Sequence, residues 1–214
     1  MEYRVCNEKL RLLLAETWRV EPLISIPVVV SKQTEDEFSL LAVQDRPGEE
    51  SVGIRKDYAE RYGQKEEEMF DFVLQNAVKN YPPMFGTIFE IIESITRGVK
   101  IPNSNPMQEK FLQNSYSSED IYILTNEHGY GGAATAYYPN VLKNIGKVLD
   151  DDFFMIPSSV HEFFIFPEKL CSGEEQELRE LILQGNREAT SPEDFLSFDL
   201  RKYLRKEDKI IIVN

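Results

Sequence analysis

Two apolar runs, Phe153-Phe154-Met155-Ile156-Pro157 and Phe163-Phe164-Ile165-Phe166-Pro167, stand on either side of Ser158-Ser159-Val160-His161-Glu162. Runs this short, aromatic-rich and closed by proline suit strands better than helices. With so little chain between them they pair locally, as a β-hairpin with a polar tip. The same stretch poses a chemical question. Ser158, Ser159, His161 and Glu162 bring hydroxyls, an imidazole and a carboxylate into one turn.

Side chains alternate along a strand. If pairing starts near Val160, His161 shares a face with Phe163 and Ile165, and Glu162 shares the other with Phe164 and Phe166. Neighbours then point apart and cannot jointly clasp a metal or relay a proton. A dyad of Ser158 or Ser159 with His161 is open across a tight turn, and Glu162 completes that candidate catalytic set. The sequence lacks the nucleophile elbow G-x-S-x-G, and His161-Glu162 is not the helical H-E-x-x-H of a zinc site. The favoured reading has the serines holding the turn through backbone hydrogen bonds.

A second cluster runs Asn126-Glu127-His128-Gly129-Tyr130-Gly131-Gly132. It lacks the lysine and Ser/Thr of a phosphate-cradling P-loop. Its glycines read as a loop joining a strand IYILTN to a strand AATAYY. His128 and His161 are the chain's two histidines. A metal site would have to recruit both, with carboxylates such as Glu127 and Glu162.

Elsewhere, hairpins alternate with amphipathic segments. Residues 2–19 have helical spacing, then LISIPVVVS and EFSLLAVQ form a hairpin with Pro27 on its edge. A third strand falls near Val52 to Ile54, and helical turns at 55–63 and 65–80 follow. After Pro82-Pro83 the spacing of Met84, Phe85, Ile88, Phe89, Ile92 and Ile95 predicts another helix. Residues 98–119 lack periodicity and read as a linker. Pro139 opens a helix over Val141 to Leu149. Glu174 to Asn186 is helical, Ser191 with Asp194 resembles a capping box around Pro192 that opens a short helix, and a hairpin from about Leu200 ends the chain. The predicted fold is α+β, antiparallel β-hairpins packed against helices, with room for two lobes. They would be an N-terminal lobe, 1–97, and a C-terminal lobe, 120–214, joined by the linker.

Composition narrows the function classes. The chain has 214 residues, 42% of them hydrophobic, and a net charge of −13. Such a charge opposes a phosphate-binding surface, so no nucleic-acid partner is expected. Cys6 and Cys171 are too few and too far apart for a disulfide framework or a Cys-x-x-Cys site. The charged N-terminal stretch has no signal-peptide core, and no run reaches the length of a membrane helix. A cytoplasmic protein with no cofactor and no membrane contact is expected.

The segments Leu124-Thr125-Asn126, Gly132-Ala133, Pro157-Ser158-Ser159 and His161-Glu162 resemble the motifs of an uncharacterised domain family of clostridial, largely gut-dwelling Firmicutes. Asn186 and Glu193 to Ser197, EDFLS, are similar to that family's later segment. A remoter likeness is to the YtpQ-type uncharacterised proteins of bacilli. The resemblance implies no established catalytic residues, and it implies a short member or a piece of a longer chain. It also adds weight to Pro-Ser-Ser-x-His-Glu as a site. The leading expectation is a non-enzymatic binding protein that engages an unknown protein partner, with homo-oligomerisation open. The alternatives are a hydrolase-like or metal-binding site around His161 with Ser158, Ser159 and His128, and an acidic nucleic-acid mimic.

Overall fold

The structure is a computed structural model that describes residues 81–188, 190 and 194–213, residues 78 and 79, and three short N-terminal strands. The chain divides into two compact units, Met1–Tyr81 and Pro82–Asn214. In the first, β1 (Ser25–Pro27), β2 (Leu40–Ala42) and β3 (Val52–Ile54) pair antiparallel in that order. This is the expected hairpin with its third strand, and Pro27 lies on an outer strand. The helices expected at 2–19, 55–63 and 65–80 fall outside the described residues, except that 78 and 79 are helical.

The second unit is built on a six-stranded antiparallel sheet ordered β4-β5-β7-β6-β8-β9. Its strands are β4 (Pro83–Thr87), β5 (Tyr122–Asn126), β6 (Phe153–Ser159), β7 (Glu162–Pro167), β8 (Arg201–Leu204) and β9 (Lys209–Ile212). The α+β class stands. Pleating sends successive side chains to opposite faces, and each face is packed by helices. On one face, Ile91 of α1 (Ile88–Arg97) covers Met84 and Ile123. Leu178 and Ile182 of α4 (Glu175–Glu188) cover Phe154, Ile156 and Phe166 on the same face. Phe164 packs against both clusters, between the two helices.

The opposite face is aromatic. Phe85 stacks on Tyr122 with ring centroids 5.0 Å apart, and Phe111 of the 3₁₀ turn η1 (Glu109–Gln113) meets Phe85 edge-on at 5.9 Å. Phe153 stacks on Tyr203 at 5.0 Å. The helix α2 (Val141–Leu149) comes so close that a Cβ on Gly146 would lie 3.3 Å from the Tyr203 ring. Full burial of a side chain such as Phe85, Phe153 or Phe163 contributes about 1.5–3 kcal/mol. The short α3 (Glu168–Cys171) follows β7 and buries Cys171, whose thiol that burial pushes up to about 11.

Three elements differ from expectation. The short helix expected after Ser191 does not occur in the described residues 194–200, and residues 191–193 lie outside the described residues. Residues 83–87 are a strand, and the helix begins only after Thr87. The reason is a capping box: the Thr87 N–H donates to Glu90 Oε2 at 2.8 Å, and the Glu90 N–H donates to Thr87 Oγ1 at 3.4 Å. Gly98, at φ 67°, ends the helix in the left-handed region. The predicted strand AATAYY is instead η2 (Gly132–Tyr137), a buried 3₁₀ turn. β5 already pairs with β4 on one side and β7 on the other, so it has no free edge for a hairpin partner.

The segment 98–119 belongs to the second unit and carries the buried Phe111. Its Ser104 carbonyl accepts the Phe85 N–H at 2.9 Å, on the side of β4 away from β5. Among the described residues, no helix is long and apolar enough to cross a membrane.

Candidate functional site

The β6–β7 hairpin closes with Ser159 opposite Glu162, so Val160 and His161 form the turn itself. The register shifts between Pro157 and Ser159, which leaves Ser158 as a bulge residue. His161 therefore lies beyond the alternating part of β7, in a position from which its ring is free to turn toward other segments.

Three of them meet there. The loop after β5 is wound around buried Asn126, whose Oδ1 accepts the His128 N–H at 2.9 Å and whose Nδ2 donates to the Tyr130 carbonyl at 2.6 Å. Gly129 and Gly131 take positive φ, 66° and 62°, where a side chain would be strained. That geometry aims the Gly131 N–H at His161 Nδ1, 3.0 Å away. An N–H donor there requires Nδ1 to be the bare nitrogen, so the neutral ring carries its proton on Nε2. Nε2 then donates to Asp194 Oδ1 at 3.1 Å. The ring lies against Tyr130, with centroids 4.8 Å apart.

Backbone bonds tie the same segments together. The Val160 N–H donates to the Asp194 carbonyl at 2.8 Å, and the Ala133 N–H donates to the Val160 carbonyl at 3.2 Å. Thr125 Oγ1 donates to the His161 carbonyl at 2.8 Å. The hairpin tip is thus bonded to the start of η2, to β5 and to the segment entering β8.

The other candidate residues take different places. Ser159 Oγ accepts the His161 backbone N–H at 3.0 Å and donates to Glu162 Oε1 at 3.0 Å. It faces the backbone of His161, while both ring nitrogens face Gly131 and Asp194. Ser158 accepts a hydrogen bond from Thr190 Oγ1 through its carbonyl, at 2.9 Å. Among the described residues, nothing bonds the Ser158 hydroxyl. His128 sits in the Asn126 loop. No group of three or more His, Cys, Asp or Glu side chains that could hold a metal occurs among the described residues.

Sequence reasoning missed Asp194 as a partner of His161. The two are 33 positions apart, and no local pattern links them. A general base needs an imidazole nitrogen open to the proton that it removes. With Nδ1 and Nε2 both engaged, this ring fastens a turn as an Asp-oriented histidine would, but offers no open nitrogen.

Fold and site together define an antiparallel α+β domain with a histidine-fastened hairpin on one end of its sheet. The chain belongs to DUF5688, a family of unknown function, whose profile matches residues 37–205. No curated protein matches the chain. No solved structure matches it either.

Proposed function

We propose that this chain is a non-enzymatic cytoplasmic binding protein that docks a partner protein on the outer side of α1. The observation that carries this reading is the helix's surface. Phe89 is 76% exposed, and Ile92, nearly one turn on, is about half exposed at 51%. They sit on a helix that is capped at both ends and anchored by buried Ile91. A cluster of large apolar side chains kept in water on a well-anchored helix marks a contact surface. The net charge of −13 favours a partner with a basic rim around its apolar contact. The committed nitrogens of His161 favour this reading over a hydrolase.

A photo-crosslinking residue placed at position 89 in the producing cell tests it. A captured protein is then purified and titrated against the original chain and Phe89→Glu. The expected outcome is saturable binding that Phe89→Glu weakens about 30-fold or more, the scale of an anchor residue. A captured second copy of this chain would identify the partner as the chain itself. Equal binding by Phe89→Glu, or no captured protein, would remove the proposal.

A further inference from the structure

On the sheet face that carries α1 and α4, a cavity of about 270 Å³ opens over β7, floored by Ile156 and Phe164 and walled by Ile88 and Leu181. This is close to the ~300 Å³ at which small-molecule sites begin. Apart from Ser158, its described lining side chains are apolar or, at Gly185, absent.

Two features keep it in this state. The first is the bulge. Ser158 has no partner across the β6–β7 ladder, lines the cavity, and leaves its hydroxyl unbonded among the described residues. Bulges commonly re-aim a side chain beside a functional site. The second is Gly185 of α4. Glycine inside a helix is about 1 kcal/mol less favourable than alanine. Its φ is not positive, and a Cβ there would meet no atom within 4 Å. Neither backbone conformation nor packing calls for glycine at this point. What it does is leave the cavity wall open.

We propose that this cavity binds a small, uncharged, largely apolar molecule with one hydrogen-bonding group, in the class of a medium-chain alcohol or ketone. The apolar part lies over Phe164 and Ile156, and the polar end meets Ser158. The head is uncharged because, among the described lining residues, the one polar side chain is the neutral hydroxyl of Ser158. The chain's charge of −13, with four glutamates against Arg179 and Arg187 on α4, also disfavours a carboxylate or phosphate. The site borders α1 through Ile88, but Ser158 and Gly185, whose substitutions test it, lie outside α1, so its failure and that of the docking reading are distinguishable.

The test is a titration of the full chain with 1-octanol and, in parallel, octanoate, followed through labelled isoleucine δ1 methyl groups. Octanol is expected to saturate and to shift Ile88, Ile121 and Ile156, with octanoate at least tenfold weaker. Ser158→Ala should weaken octanol about fivefold, as loss of one hydrogen bond does. Gly185→Leu should abolish binding by filling the cavity, while melting at or above the original temperature shows that it folds. No saturation by octanol, octanoate binding as tightly as octanol, unchanged affinity in Ser158→Ala, or retained binding in a folded Gly185→Leu would each overturn the proposal.

Discussion

Gly132 stands where η2, the end of β5 and the β6–β7 turn meet. A Cβ added there would lie 2.2 Å from Thr125 Oγ1, 2.4 Å from the His161 carbonyl oxygen and 2.7 Å from the Asn126 nitrogen. Two of those atoms are backbone and cannot swing away. Gly132→Ala is therefore expected to destabilise the second unit by about 3 kcal/mol, at the upper end for overpacking. A lowered urea midpoint with unchanged slope would show it, and a midpoint within error of the original would count against the fastened turn. The glycine itself was conspicuous in the sequence, but its reason was not. It read as a source of positive φ, whereas at this position the demand is for close approach. Ser159 was legible as a turn-holder, whereas its bond to Glu162 was not, because Glu162 read as a strand residue beside Phe164 and Phe166. The His161–Asp194 pair was not, because nothing local joins residues so far apart.

Among the elements, the terminal hairpin carries its own acid-sensitive bond. Tyr203, on β8, donates its hydroxyl to Asp208 Oδ1 at 2.6 Å, and Lys143 on α2 reaches Asp208 Oδ2 at 3.1 Å. The Tyr203 hydroxyl first, and then Lys143, hold the Asp208 carboxyl below its ordinary value. A depressed carboxylate contributes its stabilisation in full above the unfolded value of about 3.9, and loses it as pH falls through the lowered value. Tyr203→Phe removes the larger cause. The Asp208 carboxyl carbon, followed by NMR, is then expected to titrate at higher pH, and the β9 amides to shift with it. An unmoved titration would assign the depression to Lys143 instead. This hairpin was readable in advance, as was β6–β7, because apolar runs flank a polar turn in both. The β4–α1 boundary was misread. Its signal was present as Thr87 and Glu90 at capping-box spacing, but the helical spacing from Met84 to Ile95 masked it. Ala-Ala-Thr-Ala-Tyr-Tyr was misread because its fate depended on a distant fact, the occupation of both sides of β5.

For the whole molecule, charge and exposed apolar surface act against each other. Net charge of −13 at neutral pH keeps copies apart, while Phe89 and Ile92 offer a contact surface. As pH falls toward the sequence isoelectric point near 4.7, the repulsion fades. Light scattering is expected to rise between pH 7 and 5 and to fall again in Phe89→Glu. If that substitution leaves association unchanged, some other surface drives it. The α+β class and its local pairing were legible from alternating hairpins and helices. The strand order was not, since β7 lies between β5 and β6 in space and no sequence pattern reports a neighbour across a sheet.

The carbonyl of Ser104 on the flank of β4 limits how the sheet can grow. With that flank bonded, β9 is the margin of the six-stranded sheet left to accept another strand. Strand addition through this sheet would therefore stop at a pair of copies joined back to back through β9.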